Sequence, residues 1–184
     1  MSTLDIIKVL LEGFGNSLLI TVLSVIFPLI IGTIITIFSS KFKVVNSIFG
    51  WLSVPFECLC PIFLCTAIYF LIPMKIIPYD IWYLIITVFV LSLCFMGYMP
   101  ARCVQSYSAI KNILYNGIGL VRNIFMWSLF VSGCTMANTD LLRATWRIIS
   151  YSYNTIYWLI PLLVSIVILF IFELARRLIK QFMK

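Results

Sequence analysis

Residues 17–38, SLLITVLSVIFPLIIGTIITIF, form an apolar stretch of 22 residues without one charged side chain. An α-helix rises about 1.5 Å per residue, so about 20 apolar residues cross a hydrocarbon core about 30 Å thick. Pro28 removes one backbone donor in the middle of the stretch, a loss that neighbouring groups can compensate inside a membrane. The stretch therefore predicts a membrane-spanning helix.

Four further apolar runs follow the first and also have lengths that suit membrane spans. The five runs are residues 17–38, 48–72, 81–99, 118–137 and 155–172. Charged residues make up only 10% of the 184 residues, and the mean hydropathy is +1.14, whereas soluble domains carry about 25% charged residues. We therefore expect an all-α membrane protein with about five transmembrane helices in one domain, residues 1–184.

The segment before the first run indicates a permanent span. Residues 3–14 form a short amphipathic stretch that contains Asp5, Lys8 and Glu12. A cleaved signal peptide would have a basic region here and a shorter apolar stretch after it. We therefore expect residues 3–14 to lie outside the membrane, in front of a span that is retained.

Lysine and arginine fall mainly on alternate sides of the predicted spans. With the amino terminus outside, nine of the thirteen cations lie in inner segments and four in outer ones. The positive-inside rule therefore predicts an outer amino terminus and an inner carboxyl terminus. Cations at the inner helix ends can meet anionic membrane lipid, so the net charge of +7 needs no nucleic-acid partner to explain it.

The chain has few side chains suited to catalysis or metal binding. It contains no histidine and only six carboxylates, and no nucleophile has a nearby base in the sequence. We therefore expect no enzyme activity and no cofactor in this chain. Most of the six cysteines lie in or beside spans as packing residues. Cys58 and Cys60 could bind Cu(I) or zinc, but without histidine or a second close pair the ligand set is incomplete.

The longest inner segment, residues 101–122, contains apolar residues at the spacing of one helix face. One interpretation is an interfacial helix that lies among the lipid headgroups. The other is a docking helix for a cytoplasmic partner. The docking candidates are Ile110, Lys111, Ile113, Leu114, Asn116, Gly117 and Arg122.

Glu57 lies inside the second apolar run. A charge at the centre of a bilayer costs about 2.5 to 3.5 kcal/mol on insertion scales, so such a residue usually faces a cavity or a partner. Alternatively, Glu57 lies near the inner interface, where it is protonated or reaches the headgroups. Other polar or helix-bending residues could line a pathway or form helix–helix hydrogen bonds. They are Pro61, Thr66, Tyr69, Thr87, Ser92 and Asn154.

Several short motifs occur in an order that is typical of one transporter family. They are Gly13 followed by Ser17-Leu18 and Thr21, Cys58-Leu59-Cys60-Pro61, Tyr69-Phe70-Leu71-Ile72-Pro73, and Glu173-Leu174-Ala175-Arg176-Arg177. In this order they resemble permease subunits of ATP-binding-cassette importers of the polar amino acid type. The third motif stands where those permeases have Tyr-Phe-x-x-Pro, and the fourth matches their final Glu-x-x-Arg-Arg. The resemblance extends, with gaps, over nearly the whole chain.

The resemblance implies a type I importer permease fold in a bacterial cytoplasmic membrane, spanned several times. It also implies a second permease subunit, identical or different, a cytoplasmic ATPase subunit and an outer substrate-binding protein. The solute would be small and polar, for example an amino acid. Where the family has Glu-Ala-Ala on its docking helix, this chain has Asn116-Gly117-Ile118. This departure leaves a second hypothesis open, a non-transporting membrane scaffold or assembly subunit with a degenerate permease fold.

Overall fold

The computed structural model describes residues 3–41, 48, 61–71, 79–96, 98, 109–130 and 140–182, and the structural statements below concern these residues. They are almost entirely helical, and no β-strand occurs among them. The helices are α1 (Thr3–Lys41), α2 (Pro61–Leu71), α3 (Tyr79–Cys94), α4 (Ala109–Phe130), α5 (Leu141–Ser152) and α6 (Leu159–Phe182). A 3₁₀ turn, Thr155–Trp158, precedes α6. For the described residues, the predicted all-α class is confirmed.

Helix α1 is a single helix of 39 residues, about 58 Å long at the usual rise. It contains both the predicted outer stretch, residues 3–14, and the first predicted span, residues 17–38. Pro28 is buried within this helix and does not interrupt it. Because a hydrocarbon core is about 30 Å thick, α1 is long enough to cross a membrane and extend beyond it.

Among the described residues, two helical segments are long and apolar enough to cross a membrane, Thr3–Ile35 and Thr155–Phe182. In their most apolar windows only 28% and 6% of the residues are buried. The core helix of a soluble protein would bury its apolar face, whereas large side chains such as Leu163 and Phe170 are exposed here. The two helices therefore support membrane association, while the count of five spans stays a prediction.

The buried face of α1 consists mainly of small or hydroxyl-bearing residues, namely Gly13, Ser17, Ile20, Thr21, Ser24, Pro28 and Gly32. Small residues let helices approach closely inside membranes, where large aliphatic side chains can face lipid instead. A Cβ atom added at Gly13 would lie 2.6 Å from Ala144 Cβ and 2.8 Å from the Asp140 carbonyl oxygen. Helix α1 therefore packs against α5 almost at the level of the backbone.

Hydroxyl groups link α1 to its neighbours. The Oγ atoms of Thr21 and Ser128 lie 2.9 Å apart and join α1 to α4. The Leu141 amide donates to Ser17 Oγ at 3.2 Å and joins α5 to α1. Such interhelical bonds contribute about 0.6 kcal/mol each in a membrane, so they fix the register of the helices more than they stabilise the fold.

Helix α4 runs antiparallel to both α1 and α6. A Cβ at Gly117 would lie 3.5 Å from Leu29, whereas Ser128, farther along α4, contacts Thr21, earlier in α1. On the other side of α4, the rings of Phe125 and Phe172 have centroids 6.3 Å apart. The carboxyl ends of α1 and α6 and the amino end of α4 therefore lie at one end of the bundle.

The end just described is here called the cation-rich end. Its described charged residues are Lys41, Lys111, Arg122, Arg176, Arg177, Lys180 and Glu173, six cations with one carboxylate. The opposite end has Asp5, Lys8, Glu12, Asp80, Asp140, Arg143 and Arg147, three cations with four carboxylates. The charge asymmetry seen in the sequence is thus also an asymmetry between the two ends of the folded chain.

Helix α5 and the 3₁₀ turn lie at the end opposite to the cation-rich end. Asp140 caps α5, because its carboxylate accepts from the Arg143 amide at 2.9 Å. Tyr153 ends α5 in the left-handed region, with φ of 54°, and its amide donates to the Ile149 carbonyl at 2.8 Å. Asn154 then caps the turn by accepting from the Ile156 amide at 3.0 Å.

The other predicted segments map onto the described helices as follows. The second span, residues 48–72, includes α2, and the third, residues 81–99, includes most of α3 and the turn at Phe95 and Met96. Helix α4 joins the second half of the inner segment 101–122 to the first part of the fourth span, 118–137, without interruption. The fifth span, 155–172, corresponds to the 3₁₀ turn and the first part of α6. Which of these helices cross the membrane stays a prediction.

Candidate functional site

An ionic cluster joins α4 to α6 at the cation-rich end. Glu173 Oε2 lies 3.4 Å from Arg122 Nη1 and 3.5 Å from Arg176 Nη1, and Glu173 Oε1 lies 3.6 Å from Arg177 Nε. The Arg176 and Arg177 contacts stay within α6, whereas the Arg122 contact crosses to α4. Partly exposed pairs of this kind contribute about 0 to 1 kcal/mol each, so the cluster mainly sets how the two helices meet.

The cluster has more positive than negative charge, since three guanidinium groups surround one carboxylate. The Arg176 guanidinium lies 4.4 Å above the centre of the Tyr115 ring, a cation–π arrangement that holds the side chain against α4. Its Nε is buried and has no hydrogen-bond partner among the described residues. Arg122 Nη2 also donates to Asn123 Oδ1 at 3.4 Å. This surface can therefore attract an acidic group of a partner.

The predicted docking residues all lie on α4, but they face different surroundings. Asn116 and Gly117 are buried, and Ile113 is half-buried against the main apolar core. Leu114 is 57% exposed, and Arg122 is paired with Glu173. Ile110 and Lys111 belong to α4, but their side chains lie outside the described part of the structure.

The face of α4 that stays exposed near the cation-rich end is therefore narrower than the apolar helix face predicted from the sequence. It is formed by Leu114, Ile118 and Val121, which lie at helical spacing. Leu114 is exposed, and Ile118 and Val121 are half-buried. We call these three residues the docking face. Gly117, which the sequence pattern placed on the same apolar helix face, instead faces Leu29 of α1.

The predicted pathway residues do not all come together. Thr87 and Ser92 are buried on α3, and Ser92 Oγ donates to the Ser24 carbonyl of α1 at 3.2 Å. The Thr87 hydroxyl is buried without a partner among the described residues. Pro61 is buried on α2, and Asn154 is an exposed cap at the opposite end from the ionic cluster. The buried hydroxyl of Ser92 thus serves helix packing, and Asn154 serves a turn.

Three further predicted features lie wholly or partly outside the described residues. Glu57 lies outside the described residues, as do Cys58 and Cys60. Thr66 and Tyr69 belong to α2, but their side chains are not among the described ones. The described residues contain no group of three or more potential metal ligands, and Cys65 and Cys94 are buried in the main apolar core.

Sequence reasoning did not identify the ionic cluster as a site. The spacing of Glu173, Arg176 and Arg177 is the i, i+3 and i, i+4 spacing of side-chain pairs on one helix, so this part was visible in the sequence. The contact with Arg122 joins residues 51 positions apart and depends on how α4 and α6 pack, which no local pattern reveals.

Comparison with known proteins does not assign the chain to a family. No family model, no curated protein and no solved structure matches it. The resemblance to importer permeases therefore depends on the sequence motifs alone.

Proposed function

We propose that this chain is a membrane-spanning subunit of an ATP-binding-cassette importer for a small polar solute, for example an amino acid. It works with a second permease subunit and a substrate-binding protein, and a separate cytoplasmic ATPase supplies the energy. The chain itself performs no catalysis. Its place is a bacterial cytoplasmic membrane, which it crosses several times with its amino terminus outside.

The orientation follows from the unequal charges at the two ends of the bundle. The cation-rich end holds six described cations and one carboxylate, whereas the opposite end holds three described cations and four carboxylates. Cytoplasmic ends of membrane helices carry the excess of lysine and arginine. The cation-rich end, with the docking face and the ionic cluster, therefore faces the cytoplasm in this proposal, where an ATPase subunit could reach it.

The observation that carries the proposal is the position of α4. This helix contains the segment where the resembled family docks its ATPase, and it presents exposed Leu114 near the cation-rich end. Arg122 and Glu173 connect it to the Glu-x-x-Arg-Arg motif at the end of α6. A force applied by a partner on the docking face would therefore be transmitted to α6 as well as to the bundle.

The proposal is tested by Leu114→Asp, with Leu178→Asp as the matched control. Both leucines lie near the cation-rich end and are exposed, but Leu178 is on α6, outside the docking face. Burying a leucine contributes about 1.5 to 3 kcal/mol, so Leu114→Asp should weaken ATPase binding roughly 10- to 150-fold. Copurification with the ATPase and solute-stimulated ATP hydrolysis are the measurements.

Two results would count against docking through α4. One is unchanged copurification and hydrolysis in Leu114→Asp at normal expression. The other is an equal loss in Leu178→Asp, which would indicate a general effect of a new charge at this end. Ile113 is less suitable for this test because it packs against the core, so a charge there would disturb folding.

A second candidate function is a non-transporting membrane scaffold or assembly subunit. It is favoured by the burial of Asn116 and Gly117, the positions where the resembled family has its docking signature. In this case the chain would copurify with membrane partners, but its deletion would leave solute uptake and ATP hydrolysis unchanged. Solute uptake by a deletion strain, compared with uptake by the same strain expressing the chain from a plasmid, separates the two functions.

A further inference from the structure

Two cavities adjoin each other where α5, the 3₁₀ turn and α6 meet. The first has a volume of about 350 Å³ and is lined by Leu142, Arg143, Trp146 and Trp158. The second, about 290 Å³, extends between α4, α5 and α6. Leu142 and Trp158 line both cavities, so one end of the apolar groove lies directly beside an arginine.

The first cavity combines a cation with aromatic rings. Arg143 is half-buried, and the ion pairs observed among the described residues do not include it. The rings of Trp146 and Trp158 have centroids 6.0 Å apart, and Trp146 is 50% exposed. Tryptophan is enriched at the level of lipid headgroups, and guanidinium groups bind phosphate through paired hydrogen bonds.

The second cavity is apolar along its length. It extends from Trp158, at the end of the 3₁₀ turn, to Leu169 on α6, a distance of about 16 Å at the helical rise. This is about half of a hydrocarbon core of about 30 Å, the depth of one leaflet. Ser165, a hydroxyl in the lining, donates to the Pro161 carbonyl at 2.6 Å and therefore does not make the groove polar.

We propose that these two cavities form one binding site for a single phospholipid of the outer leaflet. Arg143 binds its phosphate between the two tryptophans, and one acyl chain occupies the groove beside α6. A free anion would satisfy Arg143 but leave the apolar groove empty, and an apolar protein helix would fill the groove but bring no anion to Arg143. A phospholipid matches both parts. Its assignment to the outer leaflet rests on the orientation proposed above, whereas the site itself requires only that α6 lies in the membrane.

The site is tested by fluorescence quenching with a brominated lipid. In a variant with Trp51, Trp82 and Trp127 replaced by Phe, the two tryptophans of the site remain. The full-length chain in detergent is titrated with phosphatidylglycerol brominated on its acyl chains, which quenches indoles that it touches. We expect saturable quenching that inorganic phosphate does not reverse. Size-exclusion profiles equal to that of the parent chain establish that each variant is folded.

Two pairs of neighbouring substitutions distinguish a specific site from general lipid contact. Arg143→Gln should raise the half-saturating lipid concentration about tenfold or more, since a charge-assisted hydrogen bond is lost, and Arg147→Gln, outside the cavity, should not. Ile166→Phe should narrow the groove and weaken binding, whereas Val167→Phe, equally exposed but outside the groove, should not. Equal effects within either pair, quenching that does not saturate, or displacement by inorganic phosphate would overturn the proposal.

Discussion

Gly13 provides a direct test of the packing between α1 and α5. A Cβ atom at this position would lie 2.6 Å from Ala144 Cβ and 2.8 Å from the Asp140 carbonyl oxygen. The second contact is with backbone, which cannot move aside as a side chain can. We therefore expect Gly13→Ala to push α5 away from α1 or to strain the capping residue Asp140.

Gly15→Ala is the matched control, because it lies on the same helix and a Cβ there has nothing within 4 Å. Each substitution gains about 0.8 to 1 kcal/mol of helix propensity, and this gain cancels when the two variants are compared. The remaining difference is the cost of overpacking, about 1 to 3 kcal/mol. For a chain of this size the difference corresponds to roughly 2 to 12 °C in thermal midpoint.

The assay is thermal unfolding of the purified chain in detergent, followed by the fraction that remains monodisperse in size-exclusion chromatography. Gly13→Ala should unfold at a lower temperature than Gly15→Ala, and Gly15→Ala should equal or exceed the wild type. If Gly13→Ala were as stable as Gly15→Ala, the close contact between α1 and α5 would be refuted, and with it the placement of α5 on the bundle.

Three further predictions concern polar groups. Thr21→Val should cost about 0.6 to 1.7 kcal/mol in thermal or denaturant unfolding, and adding Ser128→Ala should cost little more, because the two hydroxyls bond each other. A double-mutant cycle of Arg122→Gln and Glu173→Gln should give a coupling of about 0.3 to 1 kcal/mol that shrinks as ionic strength rises; no coupling would exclude this pair as a link between α4 and α6. Glu57→Gln should preserve expression and reduce uptake if the carboxylate faces a pathway or a partner, whereas wild-type uptake would favour the interfacial interpretation.

The helical class could be predicted from the sequence because long apolar runs in a chain with few charges leave few other structures. The residues at which helices begin and end were harder to predict. Residues 3–14 and 17–38 form one helix, since neither Gly13 nor Gly15 interrupts α1. Helix α5 was not predicted, because it is short and has arginines on its open face, although Asp140 at its start is a recognised capping residue.

The candidate site was predictable only in part. The helical spacing in residues 110–121 indicated an apolar face, and α4 contains it. Periodicity does not reveal which neighbour covers such a face, so Gly117 was assigned to docking although it packs against Leu29. The ionic cluster and the groove beside α6 both depend on contacts between distant segments, which one sequence cannot supply.

The central claim is a membrane-spanning bundle whose cation-rich end faces the cytoplasm. Its most direct test is labelling by a membrane-impermeant maleimide of single cysteines in a cysteine-free background. Ser150 on α5 and Lys180 on α6 are both exposed and lie at opposite ends. In intact cells Ser150→Cys should react and Lys180→Cys should react only after permeabilisation. The reverse pattern would contradict the orientation, and reaction of neither cysteine or of both in intact cells would contradict a bundle that crosses the membrane as described.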